Sequence, residues 1–388
     1  MAANISQKPR AILIDLIHPQ TEKAVAERRL LELESLTHTY GGFVIIKLIQ
    51  KRQMPDYRTY IGSGKLAEIL KIAQEERAEL LIINNLMKPK QLFEVEEFFR
   101  KNKKPIQVWD RIDLILKIFS KHAKTSEAKL QIKLAAIRHM GPRIFGMGME
   151  LMQQTGGIGT RGQGETNTEV MRRHLAQQEE QNKKQLDRVA ASRSLHRARR
   201  DRQGLKTISV VGYTNAGKST LVNALTRKGA YVANELFATL DTHVGKMWLP
   251  VSTVPDHVRA HGGAPLPSPA PVLVSDTIGF IQDLPPQLIS AFRSTLDETV
   301  DADLLLHVID VADPYIHEKI AEVEAILDQI GVSNIPKIYV FNKIDSVKRS
   351  GKTALKKKYA AFTPVFVSAE KALGLDELKT AVAKKLNS

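Results

Sequence analysis

The stretch ISVVGYTNAGKST, residues 208–220, decides the fold of this chain of 388 residues. It starts with the short apolar run Ile208–Val211, which is typical of a buried strand. Gly212 follows, then four intervening residues and the triplet GKS at 217–219, and the next segment, LVNALTRKG, has the character of a helix. A strand, this spacing and a helix together match the G-x-x-x-x-G-K-[ST] loop that binds the phosphates of a nucleoside triphosphate.

The residue types in this loop suit the chemistry of phosphate binding. Glycines let the backbone curl so that successive N–H groups converge on phosphate oxygens, and the following helix adds its positive end. Lys218 is predicted to reach the β- and γ-phosphates, and the Ser219 hydroxyl is predicted to bind Mg²⁺. The predicted phosphate-binding residues are Gly212, Asn215, Ala216, Gly217, Lys218, Ser219 and Thr220.

Two later segments predict that the base is guanine. In IYVFNKID, a strand-like run ends at Asn342, which is expected to tie this loop to the phosphate loop. The stem of Lys343 is expected to cover the base. A carboxylate at Asp345 accepts hydrogen bonds from N1–H and the N2 amino group of guanine, whereas adenine would leave that charge unpaired. Ser368 and Ala369, after the strand-like VFV, fit the last guanine-contacting loop.

Two further segments complete the predicted GTP site. VLVSDTIGF places Asp276, expected to hold Mg²⁺ through water, three residues before Gly279, whose N–H is expected to contact the γ-phosphate. The magnesium-sensing threonine lies in FATLDTH, where the spacing suits Thr239 or Thr242 and Thr239 is preferred. The predicted catalytic residues are Lys218, Thr239 and Gly279, and the predicted magnesium ligands are Ser219, Thr239 and Asp276.

The composition narrows the class of protein. Hydrophobic residues make up 43% and charged residues 26%, as in ordinary soluble proteins, and the length suggests two or three domains. No run approaches the ~18 apolar residues of a membrane span, and the first residues lack an apolar signal core. A cytoplasmic protein without a span is expected, with peripheral membrane association left open. The absence of cysteine excludes disulfides and thiol catalysis. The net charge of +15 is consistent with a polyanionic partner or with solubility alone.

Residues 10–108 alternate strand-like and helix-like segments, which predicts a small parallel α/β domain over residues 1–109. The strand-like runs are 11–17, 43–49, 80–84 and 106–109. Within this domain TYIGSGK, residues 59–65, suggests a second phosphate loop. Because its GSGK lacks the four-residue arc, a structural start of a helix after a strand is the preferred interpretation.

Residues 110–204 are predicted to form a long helical hairpin. Residues 110–139 are basic and have helical spacing, which leaves a solvated helix and an RNA-facing surface equally open. Seven glycines fall within residues 145–166, either as a shaped loop that approaches nucleic acid or the nucleotide domain, or as a flexible linker. Residues 166–202 are strongly helical and end in several arginines that suit phosphate contacts.

Together these segments resemble the HflX family of ribosome-associated GTPases over essentially the whole chain. The segments that carry the resemblance are YIGSGK (60–65), SKHAKTSEAKLQIKLA (120–135), GGIGTRGQGET (156–166), GYTNAGKST (212–220), FATLD (237–241) and DTIGF (276–280). The resemblance implies an α/β fold with an N-terminal parallel α/β subdomain, a helical hairpin and a Ras-like P-loop GTPase domain, here residues 205–388. It also implies binding to the large (50S) ribosomal subunit and its rRNA, and a role in splitting or rescuing ribosomes under stress. A monomer is expected.

The chain departs from the family's pattern in two places. The family usually has GPGETQLE where this chain has GQGETNTE at 162–169. If that segment contacts rRNA or the GTPase domain, its affinity or coupling is expected to differ from the family's. The family also tends to have a proline after FATLD, where this chain has Thr242. A Pro/Gly-rich insert at 250–271 is expected to be a solvated loop beside the second switch, without an assigned function.

Phe280 shapes the expected mechanism. Many Ras-like enzymes carry a glutamine at this position that orients the attacking water, and a phenylalanine can neither donate nor accept a hydrogen bond. The alternative is that Phe280 packs inward and another group positions the water. Either way, slow intrinsic hydrolysis is predicted, raised when a partner orders the switches.

Three functions follow from these expectations. The preferred one is a ribosome-stimulated GTPase. The second is an RNA-binding ribosome-assembly factor that uses GTP mainly as a docking ligand. The third is a switch recruited by a protein or a membrane, which the arginine-rich helix and the absence of lipidation signals disfavour.

Overall fold

The computed structural model describes residues 8–139, 167–202, 204–226, 243–250, 271–277, 279–281, 288 and 299–387. The predicted glycine loop, both candidate switch threonines and nearly all of the Pro/Gly-rich insert lie outside these residues. Contacts divide the chain into two units, the first made of Met1–Lys121 and Lys129–Leu186, the second of His122–Ala128 and Asp187–Ser388. The three-domain division made from the sequence stays a prediction.

The first unit is built on a sheet of four parallel strands in the order β2-β1-β3-β4. Each strand is a short apolar run, and a helix joins it to the next, as the alternation of the sequence predicts. The elements in chain order are β1 (Arg10–Ile17), α1 (Lys23–Tyr40), β2 (Phe43–Lys51), α2 (Ser63–Glu75), β3 (Leu80–Ile83), α3 (Pro89–Lys101) and β4 (Gln107–Asp110).

Helix α4 (Arg111–His122) packs into this unit instead of forming a surface helix. Eight of its residues are buried. The ammonium of Lys117 lies 4.7 Å from the ring centroid of Trp109, and that of Lys121 lies 3.8 Å from the ring centroid of Tyr40. Helix α4 therefore has few exposed side chains, and the RNA-facing surface considered for residues 110–139 stays a prediction.

The two helices of the predicted hairpin follow. The chain leaves the helical conformation at 123–125, resumes it at 126–139 (α5), and α6 spans Asn167–Arg202. Arg138 of α5 donates a hydrogen bond of 3.0 Å to the carboxylate of Glu179 on α6, which also pairs with Lys183 at 3.0 Å. An ion pair thus joins the two arms.

The second unit contains a sheet of six strands in the order β10-β9-β8-β5-β7-β6, in which β6 is antiparallel to β7 and the other pairs are parallel. Its elements are β5 (Thr207–Gly212), α7 (Lys218–Thr226), β6 (His243–Trp248), β7 (Pro271–Asp276), β8 (Leu304–Asp310), α8 (Ile316–Gln329), β9 (Lys337–Asn342), α9 (Arg349–Lys358), β10 (Val365–Phe366) and α10 (Leu375–Leu386). Apolar residues cover both faces of this sheet, because alternate strand residues point to opposite sides. Val210 lies in one cluster with α7 and α10, and Val211 in the other with α8.

The strand ends of the second unit bring the polar residues together. Gly212, Asp276, Asp310 and Asn342 each end a strand, and these four strands are mutually parallel neighbours. The carboxyl ends of parallel strands meet at one edge of a sheet, where ligands bind in open α/β folds. This edge holds the candidate site.

Candidate nucleotide-binding site

The loop between β5 and α7 has a backbone shape that requires its glycines. Gly212 has a φ of 147°, and a Cβ there would lie 2.3 Å from the carbonyl oxygen of Val308 on the neighbouring strand. Gly217 has a φ of 89°, and its Cβ would lie 2.3 Å from Nδ2 of Asn342. Asn215, with a φ of 63°, is also in the left-handed region. A side chain at either glycine would be strained and would collide with its neighbour, so the loop keeps its curve only with glycine there.

Lys218 is the charged centre of this loop. It begins α7, is only 6% exposed, and its Nζ donates a hydrogen bond of 2.8 Å to the carbonyl oxygen of Tyr213. Burial lowers the pKa of Lys218 to about 8, and the nearby carboxylate of Asp276 opposes that shift. The ammonium therefore lies across the curve of the loop. Ser219 and Thr220 follow it in the first turn of α7.

Asp276 and Gly279 lie directly beside the phosphate loop. Asp276 ends β7, is 1% exposed, and pairs in register with Val210 of β5. A Cβ on Gly279 would lie 2.7 Å from Cγ2 of Thr214 and 2.8 Å from Nζ of Lys218. The backbone at Gly279 can approach the loop this closely only because the residue has no side chain.

The side chain of Phe280 points into the core and not toward the loop. It is 2% exposed and packs in a cluster with Val211 and Tyr213. Its backbone N–H donates to the carbonyl oxygen of Gly212 at 3.1 Å, and its carbonyl oxygen accepts from the N–H of Thr214 at 2.8 Å. The main chain after Gly279 is thus bonded to the phosphate loop, while the phenyl ring is removed from it.

Asn342 connects three loops of the site. Its Nδ2 donates to the carbonyl oxygen of Ala216 at 2.9 Å, and its Oδ1 accepts from the backbone N–H of Ala369 at 3.0 Å. The next residue, Lys343, has a φ of 64°, and its Nζ donates to Asp310 Oδ2 at 2.7 Å. The amide of Asn342 therefore holds the phosphate loop and both base-recognition loops in one arrangement.

Asp345 lies in a short 3₁₀ helix, Ile344–Ser346, immediately after this junction. A hydrogen bond from the side chain of Ser368 holds the pKa of Asp345 below its ordinary value, and the positive charge of Lys371 contributes. The Lys371 ammonium lies 3.7 Å from Asp345 Oδ2. The carboxylate is therefore ionised at neutral pH, which is the form that accepts both guanine N–H groups.

Comparison with known proteins agrees with this geometry. Three family models match the chain: "GTP-binding GTPase N-terminal" at 27–120, "GTP-binding GTPase Middle Region" at 122–200 and "50S ribosome-binding GTPase" at 207–343. GTPase HflX of Caldanaerobacter subterraneus subsp. tengcongensis is 39% identical over 381 residues, which are 98% of this chain and 81% of that protein. GTPase HflX of Escherichia coli K12 is 36% identical over 356 residues, covering 92% and 78% of the two chains.

The chain belongs to the HflX family of GTPases. It is accordingly a GTP-binding enzyme that hydrolyses GTP. A crystal structure of SsGBP in complex with GDP has a TM-score of 0.51 to this structure at 24% identity and covers 98% of each chain. That likeness shows a shared fold. Among the described residues of this HflX protein, no helix is both long and apolar enough to cross a membrane.

Two groups at the site have no counterpart among the residues predicted from the sequence. Asp310 pairs with Lys343, and its position at the end of the apolar run of β8 parallels that of Asp276 on β7, so the same signal was available. Lys319 pairs with Asp313, and its ammonium lies 4.3 Å from the ring centroid of Tyr213. No local pattern connects α8 to the phosphate loop, because packing alone brings them together.

Proposed function

We propose that this GTPase acts on the large ribosomal subunit, that the subunit stimulates its GTP turnover, and that it splits or rescues ribosomes under stress. The match of residues 207–343 to a 50S ribosome-binding GTPase model supports the partner. The net charge of +15 suits a partner rich in phosphate. We further propose that it works as a monomer in the cytoplasm, where ribosomes are found.

Hydrolysis in this site would rest on positioning and on offsetting charge. Lys218 would bind the β- and γ-phosphate oxygens in place of the Tyr213 carbonyl that its ammonium contacts here. The Gly279 N–H would contact the γ-phosphate. The base would be held by Asp345, with Ser368 and Ala369 beside it.

The oxygen donors near Lys218 suit a magnesium ion. Mg²⁺ prefers hydroxyl, carboxylate and water oxygens, and the hydroxyl of Ser219 and the buried carboxylate of Asp276 are of these types. We propose that these two residues and Thr239 hold the ion, with Asp276 acting through water. Bound there, Mg²⁺ neutralises charge on the phosphate oxygens.

The burial of Phe280 is the observation that supports stimulation of GTP hydrolysis by a partner. With its ring 2% exposed, the residue after Gly279 offers no side-chain group to orient an attacking water. Intrinsic turnover is therefore slow, and a partner that orders the switches or supplies a polar group raises it.

The test is multiple-turnover GTP hydrolysis by the full chain, alone and with purified large ribosomal subunits, at low and moderate salt. A large stimulation that weakens with salt supports the proposal. Tight subunit binding without stimulation favours instead a docking factor that uses GTP as a ligand. No binding to the subunit overturns the ribosomal assignment and leaves a GTPase with another partner.

A further inference from the structure

Helix α9 and the residue before it form a strongly charged segment of the second unit. Within residues 348–358 there are six cations and no carboxylate, and no aspartate or glutamate occurs between Asp345 and Glu370. The cations are Lys348, Arg349, Lys352, Lys356, Lys357 and Lys358.

Three lysines on other helices have acidic partners, unlike the lysines of this segment among the described residues. Lys23, Lys71 and Lys101 lie 3.4, 3.9 and 3.3 Å from a glutamate four residues away on their own helices. Across the part of the chain that the structure describes, no carboxylate lies within 4.0 Å of the five lysines of residues 348–358. The positive charge of the segment is therefore not neutralised within the described protein.

The helix presents much of this charge on its outer side. Leu355 and Tyr359 pack into the apolar cluster that contains Phe341, which fixes the inner side of α9. Lys356, Lys357 and Lys358 are exposed, and Lys352, one turn before Lys356, is half-buried. Their ammonium groups can reach a ligand that lies along the helix.

Stabilisation of the helix itself does not account for the charges. Lysines in the last turn favour a helix, but Lys348 is the residue that caps the amino end, where the helix dipole opposes a positive charge. Lys352 and Lys356 also repel each other at a spacing of four residues. These charges lower the stability of the helix, and their presence is explained if they bind a polyanion outside the protein.

We propose that the outer side of α9 binds the phosphate backbone of RNA, so that the GTPase unit has an RNA contact of its own apart from the helical hairpin. This inference rests on the proposed ribosomal function for the identity of the RNA. Regularly spaced, unneutralised lysines complement the evenly spaced phosphates of an RNA helix and need no particular base. The helix begins four residues after Asp345, so the contact lies next to the guanine loop in the chain.

The test compares the full chain with the triple variant Lys352→Gln, Lys356→Gln and Lys357→Gln. The matched control is Lys23→Gln, Lys71→Gln and Lys101→Gln, which removes the same charge from lysines that have acidic partners. Binding to a short RNA duplex of random sequence and to purified large ribosomal subunits is measured from about 50 to 200 mM salt. Thermal unfolding of each variant checks that the fold is intact.

The α9 variant is expected to bind the duplex at least tenfold more weakly at low salt. Its log–log salt dependence is expected to be shallower by about 2–3, or about 1 for each lost phosphate contact. The control is expected to keep the slope of the wild type. Equal slopes for the α9 variant and the wild type overturn the inference, and so does a wild type that binds neither RNA nor subunits.

The two probes separate this inference from the proposed function. A wild type that binds the duplex through α9 but does not bind the subunit leaves the RNA contact standing and removes the ribosomal assignment. A wild type that binds the subunit with no change in the α9 variant removes only the inference. Vesicles with anionic lipid serve as a further probe, and binding to them without binding to RNA overturns the assignment to RNA.

Discussion

Two turns in this protein carry glycines followed by a lysine, and only one has the form of a phosphate loop. In the second unit Gly212 and Gly217 both have positive φ and frame a wide arc, with Lys218 buried across it. In the first unit Gly62 has an ordinary φ of −65° and caps α2. Its N–H donates to the side chain of Gln50 at 3.0 Å, and Lys65 pairs with Glu68 at 2.6 Å.

The two turns differ in the spacing of their glycines and in the contacts of their lysines, and these two properties distinguish a phosphate-binding loop from a structural turn. In the first unit Lys65 pairs with Glu68 and the N–H of Gly62 bonds to Gln50, so both groups already have partners within the protein. In the second unit a four-residue arc separates the glycines, and the lysine rests on a loop carbonyl that a phosphate can replace. The helix start predicted at residues 59–65 is confirmed, because α2 begins at Ser63, but the strand ends earlier, at Lys51, and a turn closed by the Asp56–Tyr60 bridge lies between them.

The largest expected effect is a loss of GTP hydrolysis when Lys218 is replaced, compared with the same replacement of Lys65. Lys218→Ala removes the ammonium group that lies across the loop and is expected to lower kcat/KM for GTP by roughly 10²–10³-fold. Lys65→Ala breaks a surface pair worth less than about 1 kcal/mol and is expected to leave kcat/KM unchanged. Steady-state GTP hydrolysis measures both. Similar losses in the two variants would mean that the first unit also binds the nucleotide.

The second comparison exchanges a glycine for alanine in each turn. In Gly217→Ala the new Cβ meets the amide of Asn342 and the φ of 89° is strained, so GDP affinity is expected to fall by roughly 10- to 100-fold, or about 1–3 kcal/mol. A Cβ on Gly64 meets nothing within 4 Å, and Gly64→Ala is expected to leave GDP affinity unchanged. Titration with a fluorescent GDP analogue measures both constants. Unchanged affinity in Gly217→Ala would contradict the described loop.

The third prediction concerns the acid stability of the second unit. Burial lowers the pKa of His307, so the folded protein keeps it neutral, while the unfolded chain protonates it below about pH 6.5. Burial alone would raise the pKa of Glu324, but hydrogen bonds from His307 and Lys337 lower it to about 2. In both cases the unfolded state binds more protons, so stability is lost as the pH falls from about 6.5 toward 2.

Urea unfolding at pH 7 and near pH 4 measures this effect in the second unit alone. The chain has two tryptophans, Trp109 in the first unit and Trp248 in the second, so a Trp109→Phe variant reports on the second unit. The urea midpoint seen by Trp248 is expected to fall at the lower pH. Adding Glu324→Gln is expected to lower the midpoint at pH 7 and to flatten its dependence on pH. A urea midpoint that does not change with pH in the Trp109→Phe variant would contradict the prediction.

The smallest expected effect is on the contact from α8 to the phosphate loop. Lys319→Met keeps the length of the side chain but removes the cation over the ring of Tyr213, a contact worth about 0.5–1 kcal/mol. GDP affinity is expected to fall by roughly 2- to 5-fold. Lys319→Arg, which keeps a cation, serves as the control. An equal loss in both variants would point to altered packing of α8 and not to the charge.

The local patterns of the sequence determined the family, the strand–loop–helix order and which residues of the predicted GTP site lie at strand ends. These features were predictable because each depends on a short segment: an apolar run predicts a buried strand, and the spacing of glycines and lysine determines the loop that follows. The strands predicted at 11–17, 43–49, 80–84 and 106–109 coincide with β1 to β4 to within two residues. The side chains at the strand ends then had to meet, since parallel strands share one edge.

Only the tertiary structure decided which way the ambiguous side chains face. Phe280 was compatible with either direction until the cluster around Val211 and Tyr213 was seen to enclose it. Basic spacing in residues 110–139 could not show that α4 is buried, because burial depends on partners that are distant in the chain. The same holds for Lys319 above Tyr213 and for the uncompensated charge of α9, since the presence or absence of a neighbouring group is a property of packing and not of local sequence.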